Sequence, residues 1–194
     1  MKSFLIAAAL STTATAALAA AEKYSVDASH AQIVFSYDHL GYSTNWGMFS
    51  GFEGEIMFDK DAPENSSVTV SMPARSMFTG WEARFNHFMS GDFFGAADDS
   101  ELISFTSTGI EVTGENTALI TGDLTVNETT KSIVLDAVLN NSGPFPFGPN
   151  QGKDWAGFTA TTTLMRSDFG LGAFAPAVSD EIQVQMSLEA MKVD

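Results

Sequence analysis

From Glu22 onward the recurring pattern is apolar residues at every second position, the period of an extended strand with two unlike faces. It runs through Ala31-Ile33-Phe35-Tyr37, Phe52-Gly54-Ile56-Phe58, Val68-Val70-Met72, Ile103-Phe105-Ser107 and Ile110-Val112. It continues in Leu124-Val126, Val134-Asp136-Val138, Phe158-Ala160-Thr162 and Ile182-Val184-Met186-Leu188. Turn formers stand between the runs, at Asp59 to Pro63, Gly114 to Asn116 and Asn140 to Pro144. About eight short strands joined by such turns, with almost no amphipathic helix, predict an all-β sandwich or barrel and exclude a parallel α/β sheet. The alternation breaks twice. Between Met77 and Phe94, Trp81, Arg84, Phe85 and Phe88 recur at helical spacing and predict a short helix near residues 80–90. From Asp168 to Ser179 the Gly-, Ala-, Phe- and Pro-rich composition predicts a loop.

The strands begin only after a different kind of segment. Lys2, the apolar run Phe4 to Leu10 and small residues through Ala21 have the layout of a secretory signal peptide, residues 1–21, cut after Ala21 or else after Ala19. Ser11, Thr12, Thr13 and Thr15 break the apolar run too early for a membrane anchor, which needs about 20 apolar residues. Residues 22–194 then form one domain, expected to be exported to the periplasm. Loss of Lys2 leaves eight basic against 24 acidic residues, a formal net charge of −16. Such a surface repels nucleic-acid phosphates and anionic headgroups, so nucleic-acid binding is not expected. Apolar residues beyond Glu22 come singly or in short runs, so stable membrane insertion is not expected either. The absence of cysteine excludes disulfides, thiolate metal sites and a catalytic thiol.

The chemistry-bearing residues are sparse. His30, His39 and His87 lack the close spacing of metal ligands on one strand face or helix turn. No serine sits in a nucleophile-elbow frame, and no glycine-rich stretch is followed by the lysine of a phosphate loop. Adjacent acids such as Asp98-Asp99 and Asp180-Glu181 would point to opposite faces of a strand. No catalytic residue, metal or resident cofactor is therefore expected. Arg84 and His87, three apart on the expected helix among Trp81, Phe85 and Phe88, either close a structural pair or meet the polar end of a ligand. Sixteen Phe and nine Met supply large, adaptable apolar side chains, several of them outside the strand runs, where they can close a barrel mouth over a greasy ligand.

In order, the motifs resemble the YceI-like family of periplasmic polyisoprenoid-binding proteins. They are Tyr24 to His30, His39-Leu40-Gly41, Gly47 to Phe52, Thr79-Gly80, Arg84-Phe85-Asn86-His87-Phe88 and Gly91-Asp92-Phe93-Phe94. Ile103 to Thr108, Gly122 to Thr125, Thr130-Lys131, Gly157-Phe158, Arg166 to Gly170 and Val178 to Ile182 follow. The resemblance implies an extended eight-stranded antiparallel barrel of lipocalin type whose tunnel holds a polyisoprenoid, quinone-like or fatty-acyl chain. Two positions depart from it: Phe85 replaces an Asp that would pair with Arg84, and Glu128 replaces a Gly before Thr-Lys.

The resulting expectation is a non-enzymatic carrier or sequestering protein. Its ligand tail would contact Phe35, Phe49, Phe52, Phe88, Phe93, Phe94, Phe105 and Phe158, with Arg84 and His87 near the polar end. The partner is an apolar small-molecule lipid; a homodimer is compatible with the sequence. Two rival readings are a metal- or haem-linked redox accessory using His30, His39 or His87, and an outer-membrane barrel with lipid-facing apolar strands.

Overall fold

A computed structural model describes residues 20–193, so positions 1–19 of the expected signal peptide lie outside the described residues. The strands are β1 (Glu22–Val26), β2 (Gln32–His39), β3 (Ser43–Ser50), β4 (Glu53–Phe58), β5 (Ser67–Pro73) and β6 (Met77–Phe78). After helix α1 (Glu82–Phe88) come β7 (Leu102–Gly114), β8 (Thr117–Val126), β9 (Thr129–Pro144), β10 (Asp154–Met165) and β11 (Glu181–Lys192). All pair antiparallel in one sheet of order β1-β4-β5-β7-β8-β9-β10-β11-β2-β3-β6. The free edge of β11 receives β2 along Gln183–Ser187 and β1 along Ala190–Lys192, so β11 closes the ring.

Three pairs of short strands each occupy one barrel position, which reduces the sheet to eight positions. β1 passes to β2 through a 3₁₀ turn at Ala28–His30, where Asp27 accepts from the Ser29 amide at 3.0 Å. β3 passes to β4 through Gly51, whose φ of +69° lies in the left-handed region that glycine tolerates. β5 passes to β6 after Pro73, which supplies no ladder donor, through a 3₁₀ turn at Ala74–Ser76. The register pairs Gln32 with Ser50 and Phe49 with Met77, so the three breaks lie side by side and these strands bend together.

Closure divides the strand residues between lumen and solvent. Along β11 Ile182, Val184, Met186 and Leu188 face the lumen, while Glu181, Gln183, Gln185, Ser187 and Glu189 alternate with them outside. That polar outer row is the opposite of a lipid-facing band. The two separate runs in 103–112 are one strand, β7, in which a bulge between Ser107 and Gly109 moves the inward phase from Ile103 and Phe105 to Ile110 and Val112.

Two strand-level expectations are corrected. The apolar set Val134 and Val138 on β9 is exposed, and the inward residues are the intervening Ile133, Leu135, Ala137 and Leu139. Both faces of β9 carry apolar residues, so alternation alone could not choose between them. The stretch Asn140 to Pro144 is the end of β9 rather than a turn. Its ladder with β10 runs on past a register shift at Gly157/Phe158 to pair Pro144 with Asp154, and Pro144 is tolerated at a strand terminus.

The helix is shorter than the segment that announced it, with β6 occupying Met77–Phe78. Phe85 and Phe88, three apart on α1, pack against the main core, as do Met89 and Phe94 beyond it. Asn127, in the β8–β9 turn, donates to the Phe93 carbonyl at 3.1 Å, and Phe174 of the β10–β11 loop meets His87 with ring centroids 5.8 Å apart. The helix and these loops thereby cap one end of the barrel. At the other end Tyr24, Phe58 and Phe158 interlock edge to face, with centroid separations of 5.7 and 5.5 Å.

Candidate functional site

Inside the barrel lies a cavity of about 280 Å³. That is just below the roughly 300–1,000 Å³ common for small-molecule sites, room for one extended chain. Its wall is drawn from every barrel position and is almost wholly aliphatic and aromatic. At the capped end it is bounded by Phe94, Phe169, Leu171 and Arg166, and at the other by Pro63, Ser66 and the β7–β8 turn Glu115-Asn116.

Two glycines keep this bore open. A β-carbon on Gly47 would stand 2.6 Å from Phe35 Cε1, and one on Gly122 would stand 2.6 Å from Phe105 Cε2. Without side chains beneath them, the rings of Phe35 and Phe105 lie down against the neighbouring strand instead of projecting across the lumen.

Of the residues expected to hold a tail, Phe35, Phe49, Phe52, Phe94, Phe105 and Phe158 line the cavity. Phe88 and Phe93 do not. Phe88 stands edge-on to Phe35 at 6.3 Å and to Tyr37 at 6.1 Å, with Phe93 at 5.2 Å, so these rings back the wall from the cap. Arg84 and His87 are neighbours on α1 as their spacing implied, but both lie outside the lining, because the helix turns Phe85 and Phe88 toward the core. Arg84 donates to the Thr79 carbonyl at 3.3 Å, and His87 Nε2 sits 3.0 Å from Asp92 Oδ2. Phe85 lies beneath the guanidinium of Arg75, 5.3 Å from its ring centroid, away from the lumen.

The buried charged group that does reach the cavity is Arg166, only 7% exposed. Nε donates to Ser179 O at 2.7 Å, Nη2 to Val178 O at 2.7 Å, and Nη1 to Ala173 O at 3.0 Å and to Leu171 O. Burial pushes its pKa down from the ordinary arginine value, with Asp180 and Tyr37 opposing. Its position was readable: Phe158, Ala160, Thr162 and Leu164 line the lumen on alternate positions of β10, and Arg166 is next in that phase.

The histidines stay apart. Among the described residues the one cluster of ligating atoms is Asp27, His30 and Glu189, within 4.8 Å of one another, and it holds a single imidazole. His30 Nδ1 lies 2.8 Å from Asp27 Oδ2, a hydrogen bond that raises the His30 pKa. The Asp27 carboxyl is pushed up by burial, but the hydrogen bonds from His30 and Ser29 outweigh this and leave it below its ordinary value.

A closed eight-stranded antiparallel barrel around an apolar bore, with one buried cation at its capped end, defines an interior-binding barrel protein. The YceI-like domain pattern matches residues 24–190, and the chain belongs to that family. It is 37% identical to a UPF0312 protein of Pseudomonas savastanoi pv. phaseolicola, covering 99% of this chain and 98% of the relative. Its fold is similar to Burkholderia cenocepacia BcnA, with a TM-score of 0.73 at 20% identity over 84% of this chain and 98% of the other. It is also similar to a polyisoprenoid binding domain from Saccharophagus degradans implicated in plant cell wall breakdown, with a TM-score of 0.66, 12% identity, and coverage of 88% and 98%.

Proposed function

We propose that this protein binds a single-chain lipid, an isoprenoid or fatty-acyl chain, inside the barrel and carries or sequesters it in the periplasm without altering it chemically. The observation that carries this reading is the apolar bore inside the barrel, contributed by every barrel position. Each buried methylene contributes about 0.8 kcal/mol. Association costs about 4–15 kcal/mol, so only a long chain is held by burial alone. The similarity of fold to the polyisoprenoid binding domain from Saccharophagus degradans supports an isoprenoid among the candidates. The described lining contains neither histidine, cysteine nor lysine, and its two charged residues, Arg166 and Glu115, stand at opposite ends, which suits holding rather than chemistry.

Native mass spectrometry of the protein isolated from its own periplasm, followed by solvent extraction, tests the reading. A stoichiometric isoprenoid or acyl lipid on a chain beginning at Glu22 or Ala20 is expected. Protein that carries nothing and takes up no added lipid would overturn it.

A further inference from the structure

The capped end of the bore holds a cation with an unfinished set of partners. Arg166 has five N–H donors. Four hydrogen bonds reach backbone carbonyls of residues 171–179 and the guanidinium lies over the Phe93 ring at 6.0 Å, which leaves one N–H on Nη2 without a hydrogen-bond acceptor among the described residues. None of the described carboxylates forms an ion pair with it. Asp180, the nearest in its electrostatic influence, directs its oxygens to the Ser167 amide at 2.8 Å and the Ser167 hydroxyl at 2.5 Å. A buried guanidinium remains charged. Isolated from a counter-ion by apolar walls, it attracts a hydrogen-bond acceptor, and most strongly an anion, from whatever shares its cavity.

The opposite end has the other sign. Glu115 is exposed at the β7–β8 turn beside Asn116, and the whole chain is strongly acidic. An anionic head is therefore repelled at that rim and attracted at the capped end, while an apolar tail is indifferent to both.

Resting on the lipid-binding reading, we propose that Arg166 is the headgroup site: the ligand is a single chain ending in a carboxylate or carbonyl, bound head-first. Its acceptor meets Nη2 of Arg166 beside Phe169 and Leu171, and its tail runs toward Pro63 and Asn116. The sequence motif around Arg84 and His87 is then a cap and not a headgroup site.

The test compares a long-chain fatty acid, its primary amide and the n-alkane of equal length on delipidated full-length mature protein. The acid is expected to bind about tenfold to a hundredfold more tightly than the alkane, the range for a hydrogen bond to a charged group, with the amide between them. Arg166→Met is expected to erase that ranking while retaining alkane binding. Because Arg166 also fastens the 171–179 loop, a second measurement leaves the chain intact. With a nitroxide at the methyl end of the fatty acid, amide signals of Ser66 and Asn116 are expected to broaden while those of Leu171 and Ala173 stay sharp. Equal affinity for all three probes, or broadening at Leu171 and Ala173, overturns the Arg166 assignment and leaves lipid binding standing. Failure of the intact protein to bind any of the three overturns lipid binding itself.

Discussion

Two groups of phenylalanines, chemically identical and close in space, do different work. Phe35, Phe49 and Phe105 lie on strands and border the bore, whereas Phe85, Phe88 and Phe93 lie on or just after α1 and fill the cap behind it. Of the wall rings, Phe35 and Phe105 are held flat by what is missing opposite them, the side chains of Gly47 and Gly122. The cap rings are held by their surroundings: Phe88 touches Phe35, Tyr37 and Phe93 within 6.3 Å, and Phe85 lies under the Arg75 guanidinium. Aromatic content alone therefore says how much apolar surface must be covered. Whether a ring surrounds space or occupies it depends on the residue facing it.

This contrast is broken most directly by truncating a cap ring. Phe88→Ala is expected to cost about 2–4 kcal/mol of stability, read by denaturant unfolding, with lipid affinity nearly unchanged. An affinity loss without a stability loss would place Phe88 functionally in the wall. The converse change is Ala160→Trp, which adds an indole to a lumen-facing position. Displacing three or four methylenes of ligand at about 0.8 kcal/mol each weakens lipid binding about a hundredfold. Unfolding stability should stay near that of the parent, since the ring enters space and not packed core.

Gly47→Ala sharpens the comparison further. The three atoms nearest a new β-carbon there all belong to the Phe35 ring, which is itself confined by Phe49 and Phe88 at 5.6 and 6.3 Å. A loss of about 1–3 kcal/mol is expected from overpacking, and Phe35→Leu in the same chain should recover part of it. Simple additivity of the two changes would mean that the ring does not depend on the glycine.

The sequence was legible where one face of a strand is apolar and the other polar, as along β11, where the inward set Ile182 to Leu188 alternates with Gln and Glu. It misled on β9, where Val134 and Val138 compete with Leu135 and Ala137 for the inner face and only register decides. Turn chemistry misled at Asn140 to Pro144 because the partner strand β10 was long enough to pair with all but the bulged residue. At the site, i to i+3 spacing correctly made Arg84 and His87 neighbours but said nothing of which way α1 would face. Arg166 is within reach of the same alternation that locates Phe158, but it follows the last strand residue, Met165, where a strand pattern no longer assigns a face.

The smallest expected effect lies outside both regions. His30 titrates above the ordinary histidine value because Asp27 hydrogen-bonds it, so its contribution to stability is complete below its unfolded pKa and is lost as pH rises through the raised folded value. Asp27, lowered overall, contributes above its unfolded pKa and loses that contribution as pH falls through the folded one. The link is worth most between the two. An NMR titration should show His30 returning toward its ordinary pKa in Asp27→Asn, with lipid affinity unaffected at either protonation state.

A crystal structure of the protein as isolated with its natural load measures the central claim most directly. The account expects one continuous rod of density from Arg166 to the Pro63–Asn116 end, with Phe35 and Phe105 still flat over Gly47 and Gly122. A lumen closed by those rings, or holding only ordered water, would contradict it.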